Sequence, residues 1–157
     1  MTFAQLQADV RRQLNESGTT FWSDEDVAEA VNEGYFEIAD ATEFYEREAA
    51  MLLLAGRSYY DLTSVIADTI LSVRHVQNTE TQKWLDQCDT RELDERTFVQ
   101  WELTQGPPQK YLIRGNWWLG LFPKPQADLN NLRLYYTSIP DPMVDDDEEP
   151  AFPREFH

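Results

Sequence analysis

Apolar residues near the start of the chain recur every three or four positions, and beyond Glu43 they recur every second position. Phe3, Leu6, Val10 and Leu14 share one helical face, which predicts an amphipathic helix over about 2–15. Thr2 with Gln5 three residues on reads as a capping box, Met1 and Leu6 can staple the start, and Asn15-Glu16-Ser17-Gly18 stops the helix. Val27, Val31, Tyr35, Ile38 and Thr42 mark a second helix over about 23–43. Ser23 is its N-cap, Asp24, Glu25 and Asp26 sit where the helix dipole favours negative charge, and Trp22 and Val27 occupy staple positions. Glu25, Glu29, Glu33, Glu37 and Asp40 form a solvated face. Phe36 falls beside Glu29, Asn32 and Asp40, so it marks either a second buried face or a contact with another subunit. Two amphipathic helices joined by a short loop pack as an antiparallel pair.

The period-2 region predicts strands. Residues 48–54 and Tyr59-Tyr60-Asp61-Leu62 read as a hairpin with Gly56 as the left-handed turn residue. Ile70 to Val76 is a strand, followed by the turn Asn78-Thr79-Glu80 and a short strand at Trp84 and Leu85. Asp89 or Thr90 caps a short helix through Leu93, Phe98 and Trp101, ended by Gly106-Pro107-Pro108. Lys110 to Arg114, the two-residue turn Gly115-Asn116 and Trp117 to Phe122 form the clearest hairpin. Trp117, Leu119 and Leu121 point one way, and Trp118 and Phe122 the other, so this strand must be covered on both faces. Leu132 to Tyr136 alternates as one more strand. The fold class that follows is α+β: an N-terminal helix pair packed with a mostly antiparallel β-structure over about 48–137. Residues 1–137 form one domain on this reading, and 138–157 trail as an extended acidic C-terminal arm.

Composition narrows the function. A formal net charge of -16 over 157 residues, with basic residues few and scattered, disfavours binding to nucleic-acid backbones. A hydrophobic share of 41% argues against disorder. Cys88 is the single cysteine, which excludes an intrachain disulfide, and one thiol with two histidines cannot build a Cys/His metal cluster. The first residues have no signal-peptide pattern, and no apolar run approaches the ~20 residues that cross a bilayer, so synthesis in the cytoplasm is expected.

The order of several motifs resembles the head-tail connector, or adaptor, proteins of tailed bacteriophages. The resemblance rests on Leu6 to Leu14 around Val10-Arg11-Arg12, the Phe21-Trp22-Ser23-Asp24 helix opening, and Leu54-Ala55-Gly56 followed by Tyr60-Asp61-Leu62. It continues in Gly106-Pro107 before Tyr111, and in Leu121-Phe122-Pro123-Lys124-Pro125 before Leu134-Tyr135-Tyr136. The chain departs from the family's pattern at Thr63, where a proline usually follows the Asp-Leu pair, and at His157, beyond which members usually continue into a last helix. The resemblance implies a non-enzymatic virion protein at the head-tail junction. It would be a subunit of a ring, dodecameric, that binds the portal, carries tail or neck proteins and passes DNA as non-specific cargo. A tail or neck completion protein is the neighbouring reading.

The alternative of another class is a small acidic metal-dependent hydrolase, which would use the abundant carboxylates as an acid/base pair or as cation ligands. No calcium-loop spacing surrounds Asp145 to Glu149, and there is no His/Glu metal pattern, phosphate loop or nucleophile elbow. A solvated or interfacial acidic linker is the simpler account of that run. Cys88 with His75 as its base is weaker than an ordinary half-buried thiol. No catalytic, metal or cofactor residue is therefore expected. Interface residues are expected instead: the aromatics Phe36, Trp101, Trp117, Trp118, Phe152 and Phe156 as anchors, and Arg11, Arg12, Arg91 and Arg96 pairing with acidic neighbours.

Overall fold

The computed structural model describes residues 1–16, 21–96, 101–115 and 117–152. The chain falls into two compact units, Met1–Tyr45 with Ile139–His157 and Glu46–Ser138.

The helical unit holds α1 (Phe3–Gln13) and α2 (Asp24–Thr42), close to their predicted bounds. Both capping boxes form. The Gln5 amide donates to Thr2 Oγ1 at 3.4 Å while Gln5 Oε1 accepts from the Thr2 amide at 3.0 Å. Ser23 and Asp26 repeat the exchange at 3.1 and 3.0 Å, with Asp in the place usually held by Glu or Gln. Residues 139–152 have no regular secondary structure, yet they are built into this unit. The Glu148 and Asp146 carbonyls accept from the Phe3 and Ala4 amides at 2.8 and 3.1 Å, which satisfies donors that a helix N-terminus leaves open. Asn32 holds Met143 from both sides, donating to its carbonyl at 3.0 Å and accepting from its amide at 2.9 Å. Phe3, Tyr35 and Met143 make the core, with Leu6, Val31, Phe44 and Phe152 around them.

The connection between α1 and α2 is organised by one cation. Arg11 donates to Glu16 Oε2 at 3.3 Å, to Asp24 Oδ1 at 2.7 Å and to the Trp22 carbonyl, while Glu16 Oε1 accepts from the Phe21 amide at 2.7 Å. Arg11 and Glu16 are both largely buried, so removing the guanidinium takes away a charge-assisted bond from each of Glu16 and Asp24 and the bond to the Trp22 carbonyl. Arg11→Ala is expected to destabilise the helical unit by about 2 kcal/mol, read from thermal unfolding followed at 222 nm.

Two carboxylates of this unit are held below the ordinary range by hydrogen bonds: Asp26 by the Ser23 hydroxyl and amide, Glu148 by the Val144 and Asp145 amides. A lowered folded pKa stabilises the fold above the unfolded value and stops doing so as pH falls through the folded one. The stabilisation these two bonds give the helical unit is therefore expected to fade on acidification below roughly pH 4. Ser23→Ala should flatten that loss, and an unchanged acid transition in the variant would contradict the assignment.

The second unit is built from two four-stranded sheets. The first has the order β1-β8-β3-β4, with β1 (Glu46–Leu53), β3 (Ile70–Asn78), β4 (Lys83–Trp84) and β8 (Leu129–Ser138) all antiparallel. The second has the order β2-β7-β6-β5, with β2 (Tyr59–Asp61), β6 (Lys110–Arg114) and β7 (Trp118–Phe122) antiparallel and β5 (Asp86–Gln87) parallel to β6. Their inner faces share a core of Met51, Leu53, Val76, Leu132 and Leu134 from one sheet and Tyr60, Tyr111, Leu119 and Leu121 from the other. The far face of the second sheet is covered by Cys88, Leu93 and Trp101 over Leu112, with Phe122 packed against them. The strand expected to need covering twice, β7, is thus covered twice.

Three local expectations are corrected. Residues 48–54 and 59–62 are not a hairpin: β1 pairs with β8 and β2 with β7, in different sheets. Gly56 does turn the chain with φ of 74°, but the turn passes the chain between sheets and is fixed by the Tyr60 hydroxyl, which bonds to the Leu54 amide and carbonyl. The β6–β7 pair is a hairpin, but Arg114 faces Trp118, so Trp117 belongs to the turn and its carbonyl accepts from the Leu62 amide at 2.7 Å. The short helix, α3, is Thr90–Arg96, and Trp101 lies in a separate 3₁₀ turn, Trp101–Leu103; Phe98 lies outside the described residues.

Candidate interaction surfaces

Charge is divided unequally between the two units. The helical unit's sequence carries 17 acidic and 3 basic residues, a formal -14, and the sheet unit's 12 acidic and 10 basic, a formal -2, together the -16 of the chain. No basic residue falls within α2, and Asp24, Glu25, Glu29, Glu33, Glu37 and Asp40 are all exposed. Such a surface repels phosphate backbones and attracts cationic partners.

The expected interface residues separate into those turned inward and those left outside. Trp101 is only 6% exposed, and its Nε1 donates to Asp94 Oδ1 at 2.9 Å, so it closes the core over the second sheet. Phe36 is half-buried against Tyr35, with ring centroids 6.1 Å apart, on the margin of the helical unit's core. Phe152 lies 5.7 Å from both Tyr35 and Phe44, a core contact that ties down the returning segment. Arg11 is spent on the interhelical loop. Arg12 pairs with Asp9 and Arg91 with Glu95 one helical turn away, both at the surface, where such pairs contribute little. Trp117 and Trp118 remain outside, at 53% and 42% exposure. Trp117 also borders a recess of about 290 Å³ floored by Ile66 and Ile70. Phe156 and the side chain of Arg96 lie outside the described residues.

A further aromatic surface is absent from the expected set. His75 of β3, Trp84 of β4 and Tyr135 of β8 line up on the outer face of the first sheet, with successive centroids 5.5 and 5.4 Å apart. With Arg47, Arg74 and Glu46 they line a recess of about 360 Å³. Aromatic rings beside arginines are the composition of contact anchors. The signal was in the alternation of β8, which puts Tyr135 on the solvated face of Arg133 while Leu134 and Tyr136 go inward.

The helical unit carries an apolar groove of about 260 Å³ between α1 and α2. Leu6 and Val10 form one wall, Val31 and Ile38 the other, and Gly34 sits among them with no atom of the other described residues outside its own helix turn within 4 Å of where a side chain would begin.

Reactive chemistry is sparse. Cys88 is buried, its thiol donates to the Tyr111 carbonyl at 3.4 Å, and burial pushes its pKa up, the reverse of what a nucleophile needs. Among the described residues, no three of His, Cys, Asp or Glu are grouped to hold a metal ion, and no helix is long and apolar enough to cross a membrane.

Compared with known families, the sequence matches one described as SU10 adaptor protein, over residues 1–157. No curated protein matches it.

Proposed function

The chain belongs to the SU10 adaptor protein family, and from that membership we propose that it is a non-enzymatic head-tail connector of a tailed bacteriophage. In this reading it is a subunit of a ring between portal and tail and lines the channel through which DNA leaves. The family match over the whole chain carries the proposal, and the surface chemistry supports it. A conduit needs walls to which DNA does not adhere, and the solvated face of α2 has carboxylates and no basic residue. A ring also needs apolar anchors outside the subunit's own core, a role open to Trp84, Trp117 and Trp118.

Neighbouring subunits of the same strong charge repel one another, so ring assembly should strengthen with salt. The screening length falls from roughly 30 Å at 0.01 M to 3 Å at 1 M. Sedimentation at the two ionic strengths checks this, and equal assembly in both would count against acidic neighbours in a ring. The location is tested by quantitative mass spectrometry of purified particles. The chain should be present in a fixed ratio to the portal, and its absence from mature particles would remove the reading.

A further inference from the structure

We propose that the groove between α1 and α2 is a docking site for a cationic amphipathic helix of a partner protein. Gly34 is the first observation. Glycine is the least favourable residue in a helix interior short of proline, and among the described residues outside its own helix turn no atom requires it: a Cβ at this position would meet none within 4 Å. The open space lies above the groove floor, where Leu6, Val10, Val31 and Ile38 present apolar walls and Met143 closes part of the rim. A missing side chain at that point admits the close approach of another chain.

The lining selects the secondary structure of the occupant. Its side chains are apolar apart from Tyr35, whose hydroxyl already accepts from the Ala151 amide at 2.9 Å. A strand laid there would bury amides and carbonyls without partners, whereas a helix satisfies its own backbone and offers apolar residues at i, i+3, i+4 and i+7. A third helix in the groove completes a three-helix arrangement.

Charge selects the sequence of the occupant. The groove belongs to the unit of formal charge -14, and Glu33 and Glu37, beside Gly34 and Ile38 on α2, are exposed. Lysines or arginines flanking the apolar seam of the partner would meet those carboxylates. Among the described residues, no helix of a second copy fits. Its α2 carries acidic residues and no basic ones, its α3 has two arginines against three acids, and the apolar face of its α1 lines its own groove.

The test uses the full chain, isotopically labelled, and a designed helical peptide of leucine and lysine with leucines at i, i+3, i+4 and i+7. A leucine/glutamate peptide with the same pattern and a scrambled leucine/lysine peptide are the controls. No portal is present, so the outcome is independent of whether ring assembly succeeds. The leucine/lysine peptide should shift the amide resonances of Leu6, Val10, Val31, Gly34 and Ile38, and bind at least tenfold more tightly than either control. Gly34→Leu, which fills the open space, should weaken it at least tenfold while helical circular dichroism is retained. Equal binding of the glutamate or scrambled peptide, shifts spread over the acidic faces without the groove, or no binding would each overturn the proposal. So would concentration-dependent shifts of the groove residues in the chain alone, which would assign the groove to a second copy.

Discussion

Replacing Phe3 with alanine is expected to remove most of the helical circular dichroism contributed by the N-terminal unit. Phe3 is buried against Tyr35 and Met143, and its amide is bonded to the Glu148 carbonyl, so its ring lies where α1, α2 and the returning segment meet. Deleting a buried phenylalanine costs about 3–5 kcal/mol. A unit of roughly 65 residues has little stability to lose, and this one also carries a formal -14 that opposes compaction. One molar salt should restore part of the signal by screening the carboxylates. A variant that unfolds with the parent's midpoint would show that Phe3 is not central to that core.

The second large effect is expected at Gly120, in the middle of β7. A Cβ there would lie 2.8 Å from Leu112 Cγ and 3.0 Å from Tyr59 Cε1. Leu112 is fully buried under Cys88, Leu93 and Trp101, so it has nowhere to move. The backbone of β7 is the floor on which that second core rests, and the position tolerates no side chain. Gly120→Val should cost about 3 kcal/mol, and even Gly120→Ala should cost more than 1 kcal/mol. Chemical denaturation followed by Trp fluorescence checks both, because Trp101 sits on the affected face. Substitution without loss would mean that Leu112 and Tyr59 can move aside.

Features set by short-range chemistry were legible in the sequence. Thr2 with Gln5 and Ser23 with Asp26 begin helices where their side chains predict, because a cap involves only residues three positions apart. The alternation of β7 foretold a strand covered on both faces. Long-range pairing was not legible. The Gly56 turn is real, yet nothing within 48–62 tells that its flanking strands pair with β8 and β7, about 57 to 91 residues further on. Trp117 was placed on a strand because a Gly-Asn pair reads as a two-residue turn, whereas the register leaves three residues between Arg114 and Trp118.

The candidate surfaces follow the same division. An aromatic residue announces burial or contact without saying which, and the structure sends Trp101 and Phe152 inward while leaving Trp117 and Trp118 outside. The alternation of β8 marks Tyr135 as outward, but His75, Trp84 and Tyr135 form one row only after three strands are placed side by side. Net charge was read correctly from the sequence, but its concentration in one unit depends on the last residues of the chain joining the first 45.

The most direct test of the connector reading is the mass, by light scattering, of the purified 18.4 kDa chain alone and then mixed with the portal of its own phage. The account predicts that the mixture gives a complex of fixed stoichiometry, with one ring of this chain on each portal. A chain whose mass and elution are unchanged by the portal would contradict it.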